Sequence, residues 1–396
     1  MRIEKVLQLA TALAAMILLL IGCGPKQRAS QGMLDTPESH YHQGVRLLDE
    51  GDLTDAARQF EDAILLDAKY APAYAGQCLV YASQGAKIAD PKSDERREYF
   101  KKAQKSLNKA KGIDDKIPAV WIAHLRLYSM WQEDSDWLKD CEKGYKKALK
   151  LDPQSDEAYY FMGLAYRSAF DFRKSEEMLR SALEIDGNWS EKAGQALQAV
   201  HKIVEAQPGT KYGKIIALAD EITRADMAVL FIEELNIAQR ISRRELAIQT
   251  PDLSFKSASA ESSQPASMPP AINDISGHWA ESMIRDYVEA GLFDVMPDGG
   301  FHPDEAVTRI EFAGVVQRLL YQATRDPGLF SKYMGEQESH IRDMRTDHPF
   351  YGAAMICVER DIMDLDKVNG FFHPQEHIGG PDALLFIRDL KNALKW

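Results

Sequence analysis

Three motifs follow one another between Asn273 and Leu320. They read Asn273-Asp274-Ile275-Ser276-Gly277-His278-Trp279-Ala280, then Asp298-Gly299-Gly300-Phe301-His302-Pro303, then Val307-Thr308-Arg309-Ile310-Glu311-Phe312. Apolar residues at three- and four-residue spacing follow the first and third motifs, which predicts two amphipathic helices. Gly291 is expected to end the first helix, and the glycine-rich second motif is typical of a turn.

The third motif begins with a predicted capping box. Thr308 is expected to cap the second helix while the side chain of Glu311 reaches back to the backbone of Thr308. Helix formation therefore accounts for Thr308 and Glu311. It does not account for Arg309.

The three motifs, in this order, resemble the S-layer homology (SLH) motif. Weaker copies lie on both sides. The upstream copy is marked by Ile222-Thr223-Arg224-Ala225. The downstream copy is marked by His348-Pro349-Phe350, Phe371-Phe372-His373-Pro374 and Ile378-Gly379-Gly380-Pro381. The resemblance implies a pseudo-threefold, mostly helical SLH domain over residues 208–396, with copies at about 208–240, 271–322 and 339–394. The segment 249–270 is rich in Ser, Ala and Pro, which predicts a flexible insertion.

In the SLH family the grooves between copies hold a cell-wall polysaccharide, and the arginine of the third motif contacts it. The resemblance therefore implies that Arg309 and Arg224 bind this glycan. A guanidinium at a helix N-terminus suits a carboxylate, although both arginines are also explained as solvated charges at helix starts. The third copy has Gly380 at this position, so its groove is expected to be weakened or lost.

Three further residues are candidates for glycan binding. Trp279 offers a flat face to a sugar ring, or else belongs to the core of its helix. Asp274 and Asp343 either accept hydrogen bonds from sugar hydroxyls or cap local helices, and the sequence favours capping.

The first half of the chain is repetitive. Small residues recur at Ala63, Ala110, Ala148 and Ala182, each followed three positions later by an apolar–Asp pair. Large aromatic residues follow the first three of these alanines by eleven positions, at Tyr74, Trp121 and Tyr159. The pattern resembles tetratricopeptide (TPR) repeats over residues 35–207, which implies a superhelix of helix pairs whose concave face binds a protein or peptide. The aromatic residues are expected to fill gaps between the helices.

Two details of the repeat region are also predicted. Repeat two carries an insertion at Gly85 to Arg96, which is expected to form a loop. A last helix from Ser190 to Gln207 is expected to close the array.

The N-terminus resembles a lipoprotein signal peptide over residues 1–22. Arg2 and Lys5 precede an apolar run that ends in Leu20-Ile21-Gly22-Cys23, which is similar to a bacterial lipobox. The resemblance implies an acylated Cys23, a tether over residues 23–34 and, because Gly24 follows, an outer-membrane anchor facing the periplasm. A plain signal peptide or anchor is the alternative.

Charge and composition restrict the function further. The net charge of −12 and the lack of a basic stripe argue against nucleic-acid binding. Cys78, Cys141 and Cys357 show no metal or disulfide spacing and are expected to pack as small apolar residues. His40 and His42 form a poor metal pair because positions i and i+2 of a helix face apart.

Catalytic motifs are missing from the sequence as well. We therefore predict an all-α protein that is not an enzyme and has no cofactor or metal. It is expected to be a cell-envelope lipoprotein with a TPR scaffold for a protein partner and an SLH domain that binds a wall polymer. The alternative is a TPR adaptor for envelope assembly or secretion with a non-binding SLH domain.

Overall fold

A computed structural model describes residues 28–237, 272–293 and 295–395. Helices dominate this part of the chain, which confirms the all-α prediction. The chain divides into two compact units, Met1–Leu197 and Gln198–Trp396. The predicted signal peptide 1–22, Cys23 and the insertion 249–270 lie outside the described residues.

The first unit is a series of antiparallel helix pairs. Its helices are α1 (Pro37–Glu50), α2 (Leu53–Leu66), α3 (Ala71–Ala86), α4 (Asp94–Ile113), α5 (Pro118–Trp131), α6 (Trp137–Leu151), α7 (Asp156–Ser168), α8 (Phe172–Ile185) and α9 (Ser190–Ala206). Each odd-numbered helix from α1 to α7 packs against the helix that follows it, so four helix pairs correspond to the four predicted repeats. Helix α9 starts at the predicted residue, and the boundary between the units falls within it.

Glycines allow the first two pairs to pack closely. The buried ring of Phe60 lies against Gly44 and Gly76, and a Cβ atom added at these glycines would approach the ring to 2.7 and 2.2 Å. The predicted role of small residues at helix crossings is therefore fulfilled by contacts to one aromatic ring.

The repeated aromatic residues pack inside the unit, as expected. Tyr74 and Trp121 are each 8% exposed. The hydroxyl of Tyr74 donates to the carbonyl of Ala68, and the indole of Trp121 donates to the carbonyl of Asp115 at 2.7 Å, so both bond six residues upstream. Tyr159 packs edge-on against Tyr145.

The insertion in repeat two is shorter as a loop than predicted. Helix α3 continues to Ala86 and α4 begins at Asp94, where Ser93 caps it, so the ends of the predicted loop are helical. Arg96 belongs to α4, and its guanidinium lies over the rings of Phe100 and Trp131. Helix α4 therefore covers the end of the predicted insertion, where these aromatic contacts hold Arg96.

The N-terminal segment contacts the first helix pair. The backbone N–H of Arg28 donates to the carbonyl of Leu65, and its guanidinium pairs with Asp35 at 2.6 Å. The last residues of the predicted tether are therefore fixed to the first unit. His40 bonds Asp35 and Gln59 rather than pairing with His42.

The cysteines of the described residues are free thiols in the interior. Cys78, Cys141 and Cys357 are all buried, which confirms their predicted packing role. Burial raises the pKa of the Cys78 and Cys141 thiols to about 12. They are therefore protonated at neutral pH.

The second unit contains three copies of one helix pair. Its helices are α10 (Lys211–Ile216), α11 (Arg224–Val229), which continues as a π-helical turn at Leu230–Glu234, α12 (Glu281–Glu289), α13 (Arg309–Thr324), α14 (Gly328–Ser331), α15 (Tyr351–Glu359) and α16 (Gly380–Leu394). The copies contribute α10 and α11, α12 and α13, and α15 and α16, and helices of neighbouring copies pack together, α11 with α12, α13 with α15 and α16 with α10. In the described part of both units, every helix is too short or too polar to cross a membrane.

A closed ring of backbone hydrogen bonds joins the three copies. The N–H of Ile222 donates to the carbonyl of Ile378, that of Ile378 to Val307, and that of Val307 to Ile222, at 2.8 to 3.1 Å. All three residues are buried. Each immediately precedes the N-cap residue of a long helix, so the ring places the three helix starts around a pseudo-threefold axis.

The predicted helix starts are confirmed. Capping boxes form at Thr308 with Glu311 and at Thr223 with Asp226. Helix α16 begins after Gly379 with Pro381 in its first turn, as the sequence predicts for the third copy.

Candidate functional site

Three boundaries between copies surround the axis of the second unit. Each boundary lies where the second helix of one copy begins next to the neighbouring copy. The first residue of that helix donates a backbone hydrogen bond to the neighbouring copy. Arg224 donates to Glu305 at the first boundary, Arg309 to Glu376 at the second, and Gly380 to Ala219 at the third. The backbone scheme is therefore shared, and the side chains distinguish the boundaries.

At the second boundary Arg309 is partly exposed. Its Nε donates to the carbonyl of Phe372 at 2.6 Å and its Nη2 to the carbonyl of Asp364 at 2.7 Å. The guanidinium also lies over the Phe372 ring, 4.9 Å from its centroid. Burial lowers the pKa of Arg309 from its ordinary value, but an arginine remains charged at neutral pH.

Carbonyl groups satisfy the donors of Arg309 without neutralising its charge. In the described chain no carboxylate makes an ion pair with this guanidinium, although Glu376, Asp382 and Asp364 stabilise its charge from a greater distance. The second boundary therefore holds a partly exposed guanidinium whose direct hydrogen bonds go to carbonyl groups.

At the first boundary Arg224 is buried, with 1% of its surface exposed. The guanidinium lies over the ring of Phe293 at 4.2 Å, and Nη1 pairs with Glu305 at 3.2 Å. Its Nε and Nη2 are buried without a hydrogen-bond partner. The alternative of a solvated charge does not hold for Arg224, because two aromatic rings, those of Phe293 and Phe301, cover it.

The third boundary is closed by the backbone. A Cβ atom at Gly380 would lie 1.9 Å from the carbonyl oxygen of Ile216 at the end of α10. An arginine therefore does not fit at this position. This close approach adds a steric reason, beyond the missing guanidinium, to expect a weakened or lost third groove.

Asp274 and Asp343 have equivalent roles in the second and third copies. Asp274 accepts hydrogen bonds from the backbone N–H groups of Phe301 and His302, and Asp343 accepts from those of Phe372 and His373, all at 2.7 to 3.0 Å. Both aspartates brace the phenylalanine–histidine turn rather than cap a helix.

The braced turns are strained. His302 and His373 both have a φ of 55°, in the left-handed region. Burial alone would raise the pKa of Asp274, but the two backbone N–H groups hold it below its usual value. The Asp274 carboxylate therefore carries negative charge next to its boundary.

Trp279 is exposed. Half of its surface, 51%, faces solvent, and its ring stacks on Tyr212 with centroids 5.6 Å apart and planes 28° apart. The alternative of a core tryptophan therefore does not hold. Trp279 of the first motif and Tyr212 of the preceding copy thus form a stacked pair in which half of the Trp279 surface stays exposed.

A pocket of about 350 Å³ lies between α13 and the start of the third copy. Gly314 and Arg318 of α13 line one side, and His348 and Phe350 line the other. It lies between the same two copies that Arg309 joins, but Arg309 is not among its lining residues.

Sequence reasoning missed several partners of these residues. Tyr212 and Glu305 carried no local signal, and neither did Glu234, a buried carboxylate that accepts from Thr210 at the start of α10 and pairs with Lys391 of α16 at 3.5 Å. The repeated Asp274…Phe301 and Asp343…Phe372 spacings, 27 and 29 residues, are a signal that was present in the sequence.

The fold and its boundaries define an all-α chain of helical repeats followed by a threefold helical unit. The family model described as "S-layer homology domain" matches residues 271–313, and the one described as "Tetratricopeptide repeat" matches residues 156–188. The chain thus carries an SLH domain and a TPR repeat, as the sequence motifs predict.

Two curated relatives resemble part of the chain. "Outer membrane protein SlpA" of Deinococcus radiodurans is 31% identical over 131 residues, which is 31% of this chain and 11% of the relative. "Cellulosome-anchoring protein" of Acetivibrio thermocellus is 30% identical over 108 residues, 27% of this chain and 20% of the relative. The similarity therefore spans a minor part of either relative.

Proposed function

We propose that this protein is a cell-envelope lipoprotein that binds an anionic wall polymer through its SLH domain, residues 208–396. The TPR domain, residues 35–207, presents a scaffold to a protein partner. The match of residues 271–313 to the SLH family supports the first role, and the names of the relatives, one in an outer membrane and one an anchor, support the location.

The charge of Arg309 is the observation that carries the binding role. A carboxylate on the polymer supplies the direct counter-charge that the described residues lack, at a helix N-terminus that also favours an anion. One charged hydrogen bond contributes about 1.5–3 kcal/mol, so a single groove binds weakly. Many anchored copies of the protein on one polymer raise the avidity.

The other candidate residues have separate roles in this proposal. Trp279 offers its exposed face to a sugar ring, and Asp274 and Asp343 hold the turns that form the groove walls while their remaining lone pairs accept sugar hydroxyls. Arg224 joins the first two copies, and it reaches the polymer only if the first boundary opens.

Retention of the purified protein on peptidoglycan with its attached polymer tests the binding role. Arg309→Gln removes the charge and is expected to reduce retention at least fivefold. Arg309→Lys keeps the charge but loses one of the two carbonyl bonds, and it is expected to retain more than Arg309→Gln. Arg285→Gln removes an exposed, Glu281-paired charge from α12 and serves as the matched control.

The stability of each variant, measured by urea unfolding, separates binding from folding. Equal retention of wild type and Arg309→Gln, with both folded, removes Arg309 from the site. Equal losses in the Gln and Lys variants, in proportion to lost stability, assign it a purely structural role.

The lipid anchor is a separate part of the proposal. Acylation of Cys23 places the protein at a membrane, and Gly24 favours the outer membrane with the protein facing the periplasm. Several acyl chains hold a protein stably, whereas one holds it marginally. Wild-type cells fed a labelled fatty acid are expected to label the protein, and Cys23→Ser is expected to abolish the label; an unlabelled wild type refutes the anchor.

The burial of Arg224 favours a second candidate function. One boundary has its arginine covered by aromatic rings, and another is closed at Gly380. These features suit a TPR adaptor for envelope assembly or secretion whose SLH domain is structural. Wild-type protein that is not retained on any wall fraction supports this alternative.

A further inference from the structure

A groove of about 660 Å³ crosses the second helices of the first two repeats. It lies between α2 and α4, with α3 as its floor, and is lined on the α4 side by Lys102, Lys105 and Lys109. Tyr81 and Gln77 of α3 lie at the floor. The groove therefore combines a basic wall with an aromatic and amide floor.

The three lysines are cations without acidic partners. Lys102, Lys105 and Lys109 recur at helical spacing on one face of α4, and none makes an ion pair with any described residue. Other helices of the same unit pair such charges locally, as Lys139 does with Asp136 and Lys174 with Asp171, both at 2.7 Å. An uncompensated basic wall in a chain of net charge −12 attracts an anionic ligand.

The opposite wall is aliphatic. Ile64 and Leu65 of α2 line it, together with the exposed carboxylate of Glu61 at its edge. Aliphatic side chains gain free energy by burying an apolar group, about 25 cal/mol per Å², and give no hydrogen bonds to sugar hydroxyls. The groove therefore suits a peptide better than a polysaccharide.

The first helices of the repeats carry a different cluster, in which a buried arginine is paired with carboxylates. Arg126 of α5 lies 4.1 Å from the centroid of Phe161, pairs with Glu157 at 3.3 Å and approaches Asp49 of α1 to 3.7 Å. Two carboxylates and an aromatic ring thus already surround the Arg126 guanidinium. Lys102, Lys105 and Lys109 on the second helices have no such ion pair with a described residue.

We propose that the groove between α2 and α4 binds an extended acidic peptide of a partner protein. Lys102 and Lys109 lie about 10 Å apart along α4, which is the span of about three residues of an extended peptide. Two acidic residues three positions apart contact the lysines, and an apolar side chain between them packs on Ile64 and Leu65.

This inference rests on the proposed scaffold role and specifies an acidic peptide as the ligand. It places the peptide contact on the second helices α2 and α4. It also fails independently of the wall-binding role, because wall binding is assigned to the other unit. Retention on peptidoglycan and peptide binding are therefore separate measurements on the same purified full chain.

The test is fluorescence anisotropy with a labelled peptide that carries glutamates three positions apart around a leucine. The double variant Lys102→Glu/Lys109→Glu is expected to weaken binding at least tenfold. Lys146→Glu/Lys150→Glu makes the same charge change on exposed positions of α6, outside the groove, and is expected to change binding less than twofold. Leu65→Ser is expected to weaken binding of the leucine peptide but not of a serine-substituted peptide.

Three outcomes overturn the proposal. The first is equal loss of binding in the groove variant and the α6 control variant, which indicates attraction by general charge. The second is that the glutamate peptide fails to bind at millimolar concentration, or binds no better than its glutamine counterpart. The third is tighter binding of polygalacturonate, an anionic glycan, in competition with the peptide.

Discussion

The Cβ position of Gly380 lies 1.9 Å from the carbonyl oxygen of Ile216, so the third copy closes directly on the backbone of the first. The two other boundaries hold an arginine at this place, over the phenylalanine of the neighbouring turn. The pseudo-threefold unit therefore has one tight boundary and two with a guanidinium.

Gly380→Ala is expected to destabilise the second unit. Overpacking of this kind costs typically 1–3 kcal/mol, and here the obstacle is backbone that does not rotate away. Urea unfolding is expected to show a free energy of unfolding lower by about 3 kcal/mol.

The matched control is Gly352→Ala in α15. A Cβ atom there would meet the Gln317 side chain at an ordinary 3.7 Å. Helix propensity then predicts a gain of up to about 1 kcal/mol. A Gly380→Ala variant as stable as wild type contradicts the tight third boundary.

Glu234 is expected to make the second unit sensitive to acid. Its carboxylate is 4% exposed, accepts hydrogen bonds from Gly209 and from the backbone and hydroxyl of Thr210, and pairs with Lys391. Burial alone raises the pKa of Glu234, but the Thr210 and Gly209 hydrogen bonds and Lys391 hold it below the usual value.

A folded-state pKa below the unfolded value means that the unfolded chain binds more protons in the window between them. The stabilisation is complete above the unfolded value of about 4.3 and is lost as the pH falls through the folded pKa. Glu234→Gln is expected to lower the free energy of unfolding by about 1.5–3 kcal/mol at pH 7.

The difference between wild type and Glu234→Gln is expected to shrink when urea unfolding is repeated below about pH 4. Glu233→Gln changes the exposed neighbouring residue and is expected to match wild type throughout. A Glu234→Gln difference that stays constant down to acid pH contradicts the assigned role of the charge.

Gly76→Ala is expected to destabilise the first unit although it lies in a helix. The added Cβ atom would approach the Phe60 ring to 2.2 Å, and that ring is fully buried. A loss of about 1–3 kcal/mol is expected to exceed the helix-propensity gain of about 1 kcal/mol.

Gly112→Ala in α4 is the control for this prediction, because nothing lies within 4 Å of its added Cβ. It is expected to keep or raise the thermal midpoint of the first unit's transition, whereas Gly76→Ala lowers it. Equal midpoints in both variants contradict the packing of Phe60 against Gly76.

Local sequence was sufficient to predict the elements of this protein. Capping boxes at Thr223 and Thr308, and the helix start at Gly379, depend on residues within one turn, so their signals are complete in the sequence. The repeat spacing of Ala63 and its counterparts similarly predicted the helix pairs of the first unit.

The environments of the site residues were harder to predict, because distant residues create them. Arg224 and Arg309 each follow an N-cap threonine, and each is the first residue of its helix. Phe293 and Glu305 bury and pair Arg224, whereas carbonyl groups about 60 residues away hold Arg309 partly exposed. Periodicity does not distinguish these two outcomes.

The surroundings of Trp279 could not be predicted from its helical spacing either. Its position in the apolar pattern of α12 is compatible with the core, but the structure places its ring at the surface against Tyr212, a residue of the preceding copy. The pattern alone cannot report a partner 67 positions upstream.

Trp279→Ala is expected to reduce retention on the wall polymer while leaving the second unit folded. The side chain is 51% exposed, and its stacking on Tyr212 is worth about 0.5–1.5 kcal/mol, so unfolding by urea changes little. Trp279→Phe keeps an aromatic face and is expected to recover part of the retention. Val368→Ala, at a 94% exposed apolar position of the third copy, serves as the control. If Trp279→Ala and Val368→Ala are both retained as well as wild type, the exposed ring does not contact the polymer, and binding is confined to the second boundary around Arg309.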